Sequence, residues 1–134
     1  TGTRLQVTVN ENSGYENMVP STPLAERWAS HLRSLGLEVT QTLDDERMGS
    51  TDMGNVSQLL PSVHPYIAAA PEGTAGHSTA FRDAVATPQA HANALAAAKA
   101  LALLALDLLT EPALLERARE EFEERRRAGI VKGR

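Results

Sequence analysis

The sequence predicts an α/β chain, and three observations carry that prediction. Arg4–Asn10 and Leu37–Thr42 alternate polar and apolar residues with period two, as half-buried strands do. Several other segments place apolar residues three and four apart, behind Ser-Thr-Pro, Thr-Pro or Thr-Glu-Pro, which are helix starts. The resulting order is strand, helix, strand, helix, strand, helix, helix, which suits helices packed on a sheet.

In the first run Leu5, Val7 and Val9 share one face. A lone strand has no independent stability, so this one needs partners that the chain does not supply. Glu11 to Pro20 is rich in Asn, Ser, Gly and Pro and reads as a connector. Ser21-Thr22-Pro23 then opens a helix with a hydroxyl cap. Leu24, Trp28, Leu32 and Leu35 form its apolar stripe and Gly36 closes it. Trp28 reads as core, and His31, one position off the stripe, as surface.

Asp44-Asp45-Glu46 reads as a solvated turn rather than a cation site. Ser50 or Thr51 caps a short helix stopped by Pro61, with Met53, Val56 and Leu60 facing inward. Asp52 in its first turn suits the positive end of the helix dipole; alternatively, its carboxylate orients a metal-bound histidine from behind. Tyr66 to Ala70 reads as a buried strand. His64, held extended by Pro65, stands at its mouth as a candidate ligand contact.

Gly73-Thr74-Ala75-Gly76-His77-Ser78 is a glycine-flexed loop that aims one imidazole, a geometry suited to a metal ligand or a proton carrier. The alternative is an idle surface histidine. The longest helix starts at Thr87-Pro88, runs to about Leu109 and is apolar on nearly every face, so it is buried on both sides or packs on a partner. A last helix follows Pro112 with Leu114, Leu115, Ala118 and Phe122 inside. Glu121–Arg125 and Glu123–Arg127 are spaced for surface ion pairs, and the basic end to Arg134 reads as a frayed tail.

Composition narrows the function classes. Thirteen basic against seventeen acidic residues give a net charge of −4, which argues against nucleic-acid binding, since phosphate neutralisation needs a basic face. Cysteine is absent, so neither a disulfide nor a thiolate ligand is available, in keeping with a reducing compartment. The first residues lack the apolar core of a secretory signal, and Lys99 and Asp107 interrupt the most apolar segment. A soluble, cytoplasmic chain with no membrane partner is the expectation.

Gly49-Ser50-Thr51-Asp52-Met53-Gly54-Asn55-Val56-Ser57, followed some twenty residues on by Gly73-Thr74-Ala75-Gly76-His77-Ser78, resembles the C-terminal part of the zinc-dependent amidohydrolases and carboxypeptidases of peptidase family M-twenty. The nearest branch is the aminobenzoyl-glutamate hydrolase and dipeptidase-like one. The resemblance runs from about Tyr15 to Arg127. It implies a partial α/β sandwich, a sheet flanked by helices. Residues 1–11 would be the last strand of an inserted lid or dimerisation domain, and residues 12–134 the C-terminal part of the catalytic domain. His77 would be a ligand of a two-metal centre holding zinc, or manganese or cobalt. Asp52 would sit in the helix-opening element beside the site. Apart from the resemblance, His64 is a candidate substrate contact by its place at a strand end, and the loop ending at Gly76 could offer backbone N–H groups to a substrate carboxylate. The remaining ligands and the general base would lie outside this chain, which would hold no catalytic residue. The full-length protein would be a homodimer through the lid.

The substrate expected from the resemblance is an amide: aminobenzoyl-glutamate, an N-acyl amino acid or a dipeptide. Two metal ions suit its hydrolysis because they activate a bridging water and polarise the carbonyl. Two other readings stand beside this one. One is a non-catalytic interaction module that packs through the apolar long helix. The other is a small complete hydrolase using His64, His77 and a nearby carboxylate.

Overall fold

Proline opens each of the three long helices. The computed structural model describes residues 2–8, 14–40 and 51–132. Within them α1 spans Thr22–Ser34, α2 Met53–Ser57, α3 Thr79–Val85, α4 Pro88–Thr110 and α5 Pro112–Arg127. Pro23, Pro88 and Pro112 all sit in first turns, where the missing N–H costs nothing and the fixed φ favours helix entry. Glycine in the left-handed region follows both α1 and α5, at Gly36 (φ 83°) and Gly129 (φ 73°).

The core lies where α1, α4 and α5 meet. Leu24, Trp28 and Leu32 enter it from α1, Ala100 and Leu104 from α4, and Leu114 and Ala118 from α5. Ala100 is fully buried, and its small side chain lets the helices approach closely. Leu35, read as the fourth member of the α1 stripe, is instead a half-exposed cap residue. Each fully buried leucine contributes about 1.5–3 kcal/mol over an exposed one, so these few side chains dominate the packing.

The predicted α/β architecture is not found: the described residues form helices and no strand. Leu5 and Val7 of the first predicted strand are largely exposed, and Asn10 lies outside the described residues. Leu37–Thr40 and Val63–Ala70 are not in regular structure, although Leu37, Val39, Val63 and Ile67 pack against the core with polar neighbours outward. The period-two pattern shows in the alternating burial, but a strand is a paired element, and these segments are not paired with any other among the described residues. The cluster Asp44–Glu46 lies outside the described residues.

Charge ties the helices together as well. Arg27 on α1 makes a two-pronged pair with Glu111, at 2.9 and 2.6 Å, and reaches Asp107 at 3.0 Å. His31 Nε2 lies 2.6 Å from the same Asp107 carboxylate. His31, expected on the surface, is thus part of a half-buried link between α1 and α4. The His31 contact, with the nearby charge of Arg27, holds the Asp107 carboxyl below the usual carboxylate range. Arg27 lowers Glu111 in the same way, and Glu111 raises Arg27.

The start of α1 also departs from expectation. Ser21 makes no side-chain cap, and its Oγ is buried without a hydrogen-bond partner among the described residues. Glu121 of α5 accepts from the Thr22 N–H instead, while Arg125 donates to Pro20 O at 2.6 Å. The Glu121–Arg125 pair, at 2.8 Å, therefore caps a neighbouring helix rather than decorating the surface. Glu123 pairs with Arg126 rather than with Arg127.

Candidate functional site

The stretch from Thr51 to Ser78 is organised by polar side chains that bond to backbone. In α2 and the turn that follows it the inward residues are Gly54, Ser57 and Gln58, whereas Val56 and Leu60, expected to face the core, are partly exposed. A Cβ on Gly54 would lie 1.9 Å from the Glu16 carbonyl oxygen, so only glycine lets α2 approach the 14–19 segment. Around that contact the Glu16 N–H donates to Asn55 Oδ1 at 3.2 Å and the Val19 N–H to Ser57 Oγ at 3.0 Å. Gln58 donates to Asn17 O at 3.0 Å and accepts from the Lys132 N–H at 3.1 Å. Gly-Asn-Val-Ser-Gln is thus a clamp on the connector that precedes α1. A glycine followed by closely spaced polar residues in so short a helix was the signal for it, and the period-based reading passed it over.

Asp52 occupies the N-cap of α2 and is exposed, and its carboxylate makes no cap hydrogen bond. Thr51 does that work by accepting from the Met53 N–H at 3.3 Å, and its hydroxyl lies 3.4 Å from Asp52 Oδ1. Beyond that Thr51 contact, the Asp52 carboxylate has no hydrogen-bond or ion-pair partner among the described residues.

His77 is the one non-glycine residue with positive φ among the described residues, at 56°. That left-handed conformation costs an L-residue about 1 kcal/mol or more. Pins on both sides hold it there. Thr74 turns back through its N–H and hydroxyl onto Pro71 O, at 3.1 and 2.7 Å, around Gly73 with φ 79°. After His77, Ser78 donates to Ala75 O at 2.6 Å and accepts from the Phe81 N–H at 3.1 Å, capping α3. The His77 backbone is thus pinned at the apex, and its side chain is exposed. Gly76 is exposed too, and a Cβ there would meet nothing within 4 Å. Neither packing nor a left-handed φ within this chain requires glycine at that position.

His64 is exposed and lies beside Tyr66, with ring centroids 5.7 Å apart and planes inclined at 46°. Both line a cleft of about 670 Å³ between α1 and the extended segments 37–40 and 63–68. The described residues contain no group of three His, Asp or Glu side chains able to hold a metal ion. His77, His64 and Asp52 are therefore not assembled into one centre by this chain.

Two curated proteins match this chain over most of its length. The Xaa-Arg dipeptidase of Mus musculus is 34% identical over 116 residues, covering 85% of this chain and 27% of that protein. The Xaa-Arg dipeptidase of Homo sapiens is 36% identical over 111 residues, 81% of this chain and 25% of that protein. The chain is similar to part of the Xaa-Arg dipeptidases. It spans about a quarter of the length of these relatives, and matches of this extent take in the whole stretch from Thr51 to Ser78. No family model matches the chain, and no solved structure matches it. The strained His77 and residues Gly54–Gln58 of the α2 clamp both fall within the part that is similar to the longer relatives.

Proposed function

We propose that this chain acts as the C-terminal part of a metal-dependent dipeptidase of peptidase family M-twenty, and that His77 is its metal ligand. The observation that carries the proposal is His77 itself, an exposed histidine whose backbone is held in a left-handed conformation within the stretch similar to the Xaa-Arg dipeptidases. Backbone strain held by its surroundings is a common mark of a residue whose direction matters. Neutral imidazole is a good ligand for zinc, with manganese or cobalt as alternatives.

The described residues do not make a metal centre alone, because three or four ligands are needed and they bring together no such group. No step of hydrolysis is assigned to them. Their part is to hold one imidazole in place, with Asp52 as its candidate orienting carboxylate and His64 and Gly76 as candidate contacts to substrate. Of the three substrate classes expected from sequence, the relatives' name favours a dipeptide, and one with arginine second, over aminobenzoyl-glutamate. The test is a polypeptide spanning the relatives' full length, assayed with an Xaa-Arg dipeptide and with aminobenzoyl-glutamate before and after chelation. Chelator-sensitive hydrolysis of the dipeptide supports the reading; hydrolysis indifferent to chelation refutes metal dependence.

One observation favours a second reading, an interaction module. The outer face of α4 exposes Leu95, Leu101, Leu106 and Leu109, and α4 is long and apolar enough to cross a membrane by length and composition alone. Its inner face, however, packs on α1 and α5, and its Asp107 is ion-paired. If α4 is a docking face for a separate protein, His77→Ala leaves that association unchanged and the long polypeptide hydrolyses no dipeptide.

A further inference from the structure

The connector ahead of α1 is held by other parts of the chain and not by itself. Residues 14–19 make no backbone–backbone hydrogen bond among the described residues. Every hydrogen bond they do make there involves Asn55, Ser57, Gln58 or Lys132. Lys132 is the distant one, and the end of α5 delivers it. Gly129, at φ 73°, turns the chain off the helix. There the Ile130 N–H bonds to Arg125 O at 2.9 Å and the Gly129 N–H to Arg126 O at 3.1 Å, the paired bonds of a glycine helix stop. Past the turn Ile130 is exposed, whereas Val131 is only 4% exposed. Val131 is nevertheless not part of the side-chain cluster that α1, α4 and α5 build. Lys132 then donates its N–H to Gln58 Oε1 at 3.1 Å and its ammonium to Glu16.

We propose that residues 129–132 are a strap that locks the connector onto α2, so that the connector is a hinge, closed while Val131 is seated and open when it is not. The lock closes at Gln58. That residue is 6% exposed, and its amide is used at both ends, Nε2 on Asn17 O at 3.0 Å and Oε1 on the Lys132 N–H. Removing the strap leaves the Gln58 carbonyl buried without its donor, which costs more than the bond itself contributes. The Glu16 backbone rests against Gly54, and Lys132 holds its side chain. That ion pair is the minor part, because both side chains are open to solvent and screening leaves such pairs little weight. Through these few residues the end of α5 sets the path by which the chain reaches α1. The strap holds the connector whether or not His77 binds a metal.

Backbone NMR order parameters on the 134-residue chain test the strap, with Val131→Ala and Lys132→Pro as the variants that unseat it. The first removes the seated side chain, and the second deletes the N–H that Gln58 accepts. Neither residue bonds to the Val19 N–H, which Ser57 holds. In the parent, the amides of residues 15–19 should have order parameters near about 0.85, as a rigid backbone does. In both variants the amides of Glu16, Asn17 and Val19 should fall below about 0.6, the flexible range, while those of Trp28 and Leu104 stay near the rigid value. Lys132→Met, which removes only the ion pair, should leave the connector rigid. A connector that stays rigid in both strap variants overturns the proposal. Equal loosening of the connector and of α4 in both also overturns it, because Val131 would then be ordinary core. Loosening by Lys132→Met as large as by Lys132→Pro overturns the lock at Gln58 in favour of charge pairing alone.

Discussion

Leu24, Trp28, Leu32, Leu104 and Leu114 hold the long helices together by burying carbon, whereas Asn55, Ser57, Gln58, Thr74 and Ser78 hold the stretch from Thr51 to Ser78 by bonding to backbone. The first kind of support is non-directional and grows with buried area. The second is directional, and it aims individual groups rather than stabilising a mass. His77, the candidate ligand, sits in the directional region. The polar turns on either side of His77 fix the path of its backbone.

The comparison can be broken from either side. The largest expected effect belongs to the core: Leu114→Ala, at a residue almost wholly buried, should cost about 2–5 kcal/mol in denaturant unfolding. Leu106→Ala, on the exposed outer face of α4, should cost less than about 0.5 kcal/mol in this chain alone. Next comes the clamp. Gly54→Ala forces a methyl into the Glu16 carbonyl and should cost about 1–3 kcal/mol. Its distinguishing readout is faster exchange of the Glu16 and Val19 amides, with the α5 amides unmoved.

A smaller effect is expected at Asp107. Its carboxyl titrates below the usual carboxylate range in the folded chain. Its contribution is therefore complete above the unfolded value of about 3.9 and is lost as pH falls through the depressed one. Asp107→Asn should lower stability at neutral pH by about 1 kcal/mol and flatten the acid limb of the stability–pH curve below about pH 4. An acid limb of unchanged slope would show that the His31–Asp107–Arg27 contacts do not link α1 to α4. The smallest effect has the opposite sign. His77→Gly relieves the left-handed strain and should leave stability unchanged or raise it by up to about 1 kcal/mol, so a loss above that size would mean that the imidazole packs structurally.

Helices were readable from the sequence wherever their signals were local. Pro23, Pro88 and Pro112 mark three starts, Gly36 marks an end, and Leu24, Trp28, Leu32, Leu114 and Ala118 show their faces through spacing alone. α3 was not foreseen, because its seven residues bury none of their side chains and its clearest signal is the Ser78 cap. Strand expectation failed for a different reason. Val39 and Ile67 are patterned for pairing, but pairing depends on a neighbour, and no local signal reports whether one is present. The link among Arg27, His31, Asp107 and Glu111 joins residues some 80 positions apart, so spacing could not show it. At the candidate site the sequence picked out His77 between Gly76 and Ser78. It could not show that the backbone there is strained, nor that Gly54 is fixed by the Glu16 carbonyl.

The most direct test of the central claim is the metal content of the long polypeptide with and without His77→Ala, measured by equilibrium dialysis against zinc, with dipeptide hydrolysis followed in the same samples. The account predicts that the variant stays folded, binds less metal than the parent and loses hydrolysis by at least about 100-fold, the scale of removing a group on which the chemistry depends. A variant with the parent's full metal content and undiminished kcat/KM would contradict it, and His77 would then be a surface histidine.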